Sequence, residues 1–98
     1  MEHFDQIINS DGLTLVDFYA TWCGPCQTMH PILAQLKADW GERIRIIKLD
    51  VDKNQPTATR FRIQSVPTLM LFRKGEVLWR QSGALMLADL KQQLSKFE

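Results

Sequence analysis

The two cysteines of this 98-residue chain stand two residues apart in Trp22-Cys23-Gly24-Pro25-Cys26. A Cys-x-x-Cys pair suits two kinds of chemistry. It cycles between dithiol and disulfide, or it supplies half of a zinc site. The zinc reading needs two more ligands, and there is no further cysteine. His30 and His3 would complete a four-ligand set, but in none of the usual spacings. A static bridge is a third use, uncommon in a reducing compartment. Redox cycling is the favoured reading, with zinc and a structural bridge left as alternatives.

In redox cycling a thiolate attacks a disulfide sulfur, so one cysteine must ionise near neutral pH. The apolar run Leu13 to Ala20, broken only by Asp17, reads as a buried central strand. Met29, Ile32, Leu33, Leu36 and Trp40 recur at helical spacing after Pro25. Cys23 therefore falls where a strand ends and a helix begins. The free N–H groups and positive dipole end of that helix stabilise negative charge on it. Cys26, one turn inside, is the better shielded. Cys23 is then the exposed attacker and Cys26 the resolving thiol, which closes the disulfide and releases the reduced target. The spacer Gly24-Pro25 carries no charge. A histidine there would stabilise the thiolate and make the pair more oxidising, so its absence points toward a reductant.

The length suits one domain, residues 1–98. Hydrophobic residues at 45% and charged residues at 23% are ordinary for a globular protein. A net charge of +1 offers no electrostatic basis for binding nucleic acid or an anionic membrane. The apolar runs are strand-sized, well short of the ~20 residues that span a bilayer. With Met1 as the natural start there is no signal peptide, which places the chain in the cytoplasm.

The remaining elements follow from pattern and punctuation. Phe4, Ile7 and Ile8 suit a short helix ended at Asp11-Gly12. Gly41 ends the long helix, in which Pro31 is expected to leave a kink. Arg43–Val51 is a second strand, and Pro56 opens a short helix reaching about Arg62. Thr68–Phe72 and Glu76–Gln81 form an antiparallel hairpin across Arg73-Lys74-Gly75. A last helix carries Leu87, Leu90, Leu94 and Phe97, without a capping side chain at its start. The long helix between the first two strands requires a right-handed parallel crossover. The fold class is α/β: a central mixed four-stranded sheet flanked by helices on both faces.

Trp22-Cys23-Gly24-Pro25-Cys26, the preceding Val16-Asp17-Phe18-Tyr19-Ala20-Thr21, and the later Lys48-Leu49-Asp50-Val51-Asp52, Ser65-Val66-Pro67-Thr68, Lys74-Gly75 and Gly83-Ala84 together resemble the thioredoxin family over almost the whole length. The resemblance implies the thioredoxin fold and protein-disulfide reduction, with no bound cofactor beyond the Cys23–Cys26 disulfide. It implies a cis-proline at Pro67, and at Val66 a backbone that pairs with an extended substrate. It implies a docking surface of Trp22, Gly24, Pro25, Val66, Pro67, Gly83 and Ala84. It makes Asp17 a buried acid beneath Cys26, raised toward neutrality and acting as proton acceptor, with Lys48 moderating that shift. The partners it implies are a thioredoxin reductase and disulfide-bearing clients such as ribonucleotide reductase, peroxiredoxin and methionine sulfoxide reductase. From the residues alone, an acid inside an apolar central strand is costly unless paired or protonated; the alternative readings are a solvent-facing Asp17, a surface Lys48 and a core-packing Trp22. Trp40, Trp79, Met29 and Met70 read as packing residues. Two other functional classes stand beside reduction: an oxidase or isomerase, and a non-enzymatic binding scaffold.

The chain departs from the family pattern in three places. Only Met1-Glu2-His3 precede the first helix, too few for the family's opening strand, so Arg43–Val51 is expected at a sheet edge. A long isoleucine-rich edge invites pairing, which Arg43, Arg45 and Lys48 would blunt. The expectation is a monomer with weak self-association through that edge. Tyr19 stands where many relatives carry Trp. Gln27 stands where a Lys often follows the motif, which should slightly weaken stabilisation of the Cys23 thiolate.

Overall fold

A computed structural model of the protein describes residues 3–98. The chain runs α1 (Phe4–Ile8), β1 (Leu13–Tyr19), α2 (Gly24–Trp40), a 3-10 turn (Gly41–Arg43), β2 (Ile44–Asp50), α3 (Gln55–Arg60), β3 (Thr68–Arg73), β4 (Glu76–Ser82) and α4 (Leu87–Ser95). The sheet order is β2-β1-β3-β4. β1 and β2 are parallel, while β3 runs antiparallel to both β1 and β4. This is the mixed four-stranded sheet expected, with β2 at an edge. Of the three residues thought too few for an opening strand, Met1 and Glu2 lie outside the described residues.

β1 is central because both its faces are apolar. Leu13 and Leu15 point toward α2 and α4, in a core with Met29, Leu33, Leu36, Trp40, Leu90 and Leu94. Val16 and Phe18 point the other way, against Ile8, Met70 and Phe72. Phe4, Phe61 and Phe72 meet edge-to-face on that second side, their centroids 5.5 to 5.9 Å apart. Trp40, Met29 and Met70 are core residues, and Trp79 packs half-buried against the first layer.

Local chemistry sets the ends of the elements. α2 continues through Pro31 as one helix. It stops at Gly41, whose φ of 57° and ψ of −125° suit only glycine; the Gly41 N–H donates to the Lys37 carbonyl. Lys37 Nζ donates in turn to the carbonyls of Gly41 (2.9 Å) and Ile44 (2.7 Å), tying the helix end to the start of β2. The hairpin loop is tighter than expected. Arg73 pairs with Glu76, leaving only Lys74 and Gly75, both at positive φ, as a two-residue turn matched to strand twist. α4 begins at Met86 with no side-chain cap, as its sequence indicated. Among the described residues no helix is long and apolar enough to cross a membrane.

Candidate functional site

Parallel pairing of β1 and β2 brings their C-terminal ends together, with Tyr19 opposite Asp50. The chain leaving β1 turns at once into α2, and Cys23 is the helix N-cap. Its Sγ accepts a hydrogen bond from the Cys26 backbone N–H at 3.1 Å. The sulfur thus sits on one of the free donors of the first turn, where a thiolate would be stabilised. Cys23 and Cys26 are joined as a disulfide, with Cα atoms 5.2 Å apart. Cys23 keeps 5% of its surface and Cys26 none. The expected order of exposure is therefore present, but Cys23 is far less open than a helix-entry position suggests. Ala20, Tyr19, Val51 and Val66 pack around the pair.

The Val66–Pro67 peptide bond is cis, as the resemblance implied. It brings the Val66 carbonyl oxygen within 3.6 Å of Cys23 Sγ. Pro67 is buried and Val66 half-buried. The turn is braced by Thr68, whose hydroxyl donates to the Ser65 carbonyl at 2.8 Å and lies 3.0 Å from the Ser82 hydroxyl. The Gly83 N–H donates to the Pro67 carbonyl at 2.8 Å, and the Leu85 N–H lies 3.3 Å from Met29 Sδ. These contacts hold Gly83 and Ala84 beside the proline turn and α2.

Trp22 is 71% exposed, which removes the packing reading for it. Its indole N–H donates to Asp52 Oδ2 at 2.9 Å. Sequence reasoning missed Asp52 in this role. The available signal was the parallel crossover, which puts residues just past β1 beside residues just past β2. Trp22 forms one wall of a recess of about 140 Å³ that is also lined by Val51, Ile63, Gln64, Ser65 and Val66. Gly24, Pro25, Gly83 and Ala84 are exposed.

Asp17 is fully buried, not solvent-facing. Neither carboxyl oxygen has a hydrogen-bond partner. Burial pushes its pKa from 3.8 up to about 6, and the Lys48 ammonium opposes that rise. Lys48 is the residue paired with Asp17 across the parallel strands, and it remains exposed. His30, on α2, approaches Asp17 with Nδ1 4.0 Å from Oδ2. This contact has no local signature in the sequence, where His30 reads only as a candidate zinc ligand. Among the described residues no group of three or more His, Cys, Asp or Glu side chains could hold a metal ion, so the four-ligand set is not assembled.

A disulfide that closes at a helix start against a neighbouring loop carbonyl, on a mixed α/β sheet, defines a thiol–disulfide oxidoreductase. Comparison with known proteins narrows the class. The Thioredoxin family model matches residues 1–96. The chain is 46% identical to a thioredoxin-like protein of Synechocystis over 93 residues, covering 95% of this chain and 89% of that one. It is 44% identical over 94 residues to the thioredoxin of Staphylococcus haemolyticus (96% and 89% covered). It is 39% identical over 87 residues to the thioredoxin of Bacillus subtilis (89% and 84% covered). The chain belongs to the thioredoxin family. Its redox group is its own Cys23–Cys26 disulfide, exchanged with the disulfides of substrate proteins and of a reductase partner.

Proposed function

We propose that the protein reduces disulfides in other proteins, with Cys23 as nucleophile and Cys26 as resolving thiol. The observation that carries this reading is the position of Cys23 Sγ, on the first-turn N–H of Cys26 and 3.6 Å from the Val66 carbonyl. A substrate strand laid along Val66 would present its disulfide to that sulfur. Trp22, Gly24, Pro25, Val66, Pro67, Gly83 and Ala84 form the docking surface, and their clustering around the disulfide supports it. Asp17 accepts the Cys26 proton, and Lys48 keeps the Asp17 pKa from rising further. The reducing direction is supported by the uncharged Gly24-Pro25 spacer.

A single domain, residues 1–98, carries this activity. The electrons come from NADPH through a thioredoxin reductase, and the clients are those of family members, including ribonucleotide reductase, peroxiredoxin and methionine sulfoxide reductase. The cytoplasm, a reducing compartment, is where such a cycle runs. The test is reduction of insulin by the wild type with NADPH and a thioredoxin reductase. Cys26→Ser should stop turnover and accumulate a mixed disulfide with insulin, whereas Cys23→Ser should form none. The reverse pattern would exchange the two roles.

A further inference from the structure

A base sealed beneath the sheet can take a proton from a thiol, but it must lose that proton before the next turnover. The group placed to receive it is His30. His30 Nδ1 is buried, has no hydrogen-bond partner, and lies 4.0 Å from Asp17 Oδ2. The side chain as a whole keeps 25% of its surface open. One imidazole therefore reaches from the sealed carboxyl to the outside. Tyr19 meets the ring edge-to-face at 5.3 Å and limits its rotation. His30 also stands one helical turn beyond Cys26 on α2, so thiol and imidazole share the face turned to Asp17.

We propose that His30 is the proton relay of the buried Asp17 carboxyl: Nδ1 takes the proton that Asp17 has removed from Cys26, and Nε2 releases one to solvent. The inference rests on reading Asp17 as the base for Cys26. In the step it serves, Cys23 is joined to a client sulfur. The Cys26 thiol gives its proton to Asp17, and the thiolate attacks Cys23 Sγ. The Cys23–client bond breaks as the Cys23–Cys26 bond forms, and the client sulfur leaves with the electron pair and is protonated by water. The client is reduced by two electrons and the cysteine pair is oxidised by two. Protonated Asp17 then passes its proton to Nδ1 of His30, a solvent base takes one from Nε2, and the carboxylate is restored; when the reductase reopens the Cys23–Cys26 bond the same path runs backward, Nδ1 returning a proton through Asp17 to the Cys26 thiolate while Nε2 takes one from water.

Charges around the pair fit this traffic. Lys48, on β2, is a cation that acts on both groups, while β3 places Leu69 opposite Asp17, and α2 and α4 pack the apolar Met29, Leu33 and Leu90 in one cluster with Leu15 and Leu69. Burial and Lys48 both lower the His30 pKa from 6.5. The ring is therefore neutral at pH 7, with Nδ1 free to accept when Nε2 carries the hydrogen. The 4.0 Å gap is about 1 Å longer than a hydrogen bond, a distance that a small rotation of ring or carboxyl closes.

An aromatic disulfide that sheds a coloured thiolate at each stage separates the two steps in stopped flow. The first release reports attack by Cys23, and the second reports resolution by Cys26. His30→Gln should leave the first release unchanged and slow the second about tenfold at pH 7, less than the roughly 10²–10⁴-fold of a group that takes the proton from the reacting atom, because His30 acts only through Asp17. His30→Ala should behave likewise and recover on addition of free imidazole. Asp17→Asn is run in parallel. If it slows the second release while His30→Gln keeps the wild-type rate from pH 6 to 8, the relay is wrong and the base assignment stands. If Asp17→Asn also keeps the wild-type rate, the base assignment is wrong and the relay falls with it. Equal slowing of both releases in His30→Gln, or no recovery of His30→Ala with imidazole, would give His30 a structural role and overturn the relay.

Discussion

Asp17 links the chemistry to the stability of the protein. A carboxyl raised from 3.8 to about 6 is harder to ionise in the folded chain than in the unfolded one. Below about pH 3 the group is largely protonated in both states and its ionisation has little effect. As the pH rises toward 6 the unfolded chain loses this proton first, so stability falls, levelling off above the folded value. The full effect is about 3 kcal/mol. Asp17→Asn should therefore match the wild type in urea denaturation near pH 3 and exceed it by up to about 3 kcal/mol at pH 8. A constant difference across that range would mean that the carboxyl does not titrate as burial requires. Lys48→Gln removes the cation that opposes this shift, so the Asp17 midpoint, followed by carboxyl NMR, should move above 6. At Asp52, replacement by Ala frees the Trp22 indole from its 2.9 Å anchor. Insulin reduction should lose several-fold in kcat/KM while the melting temperature hardly changes, because the lost bond is solvent-exposed.

Among the elements, α2 has the most demanding ends. Its first turn holds the disulfide, and its last is closed by Gly41 and the two Lys37 contacts. Nothing lies within 4 Å of where a Gly41 Cβ would stand, so Gly41→Ala meets no clash and its cost is backbone strain alone. A loss of about 1–3 kcal/mol in chemical denaturation, with disulfide exchange unchanged, is the expected result. The exposed residues of the edge strand β2 are Arg45 and Lys48. We propose a monomer with weak self-association along this edge. Sedimentation that is independent of concentration up to the millimolar range would remove the self-association.

On the scale of the whole molecule, one sheet separates two apolar layers, and the disulfide sits where both end. The layer under α1 and α3 depends on aromatic packing around Phe72, which is fully buried. Phe72→Ala should cost about 3–5 kcal/mol. That is a large part of the total stability of a domain this size, and it should lower the melting temperature by more than about 10 °C. Phe72 lies in the layer opposite Asp17, so protein that stays folded should keep its exchange chemistry. The two layers thus give the molecule a side that holds the fold together and a side that also serves the cysteines.

The sequence by itself determined the element order, the mixed sheet, the redox pair and its place at a helix start. Those follow from local rules: apolar periodicity, glycine and proline punctuation, and cysteine spacing. It also marked Asp17, because one acid in an apolar strand is conspicuous. The hairpin loop was read one residue too long, since Arg73 continues the strand pairing that only its partner Glu76 reveals. Tertiary structure decided which residues meet across distance. The crossover register set Trp22 against Asp52, and the packing of α2 over β1 turned His30 toward Asp17. Neither pair has a local signature, because their separation is closed by the docking of a helix on a sheet. How little of Cys23 remains open was settled in the same way, by the Val66–Pro67 turn arriving from a segment 43 residues further along the chain.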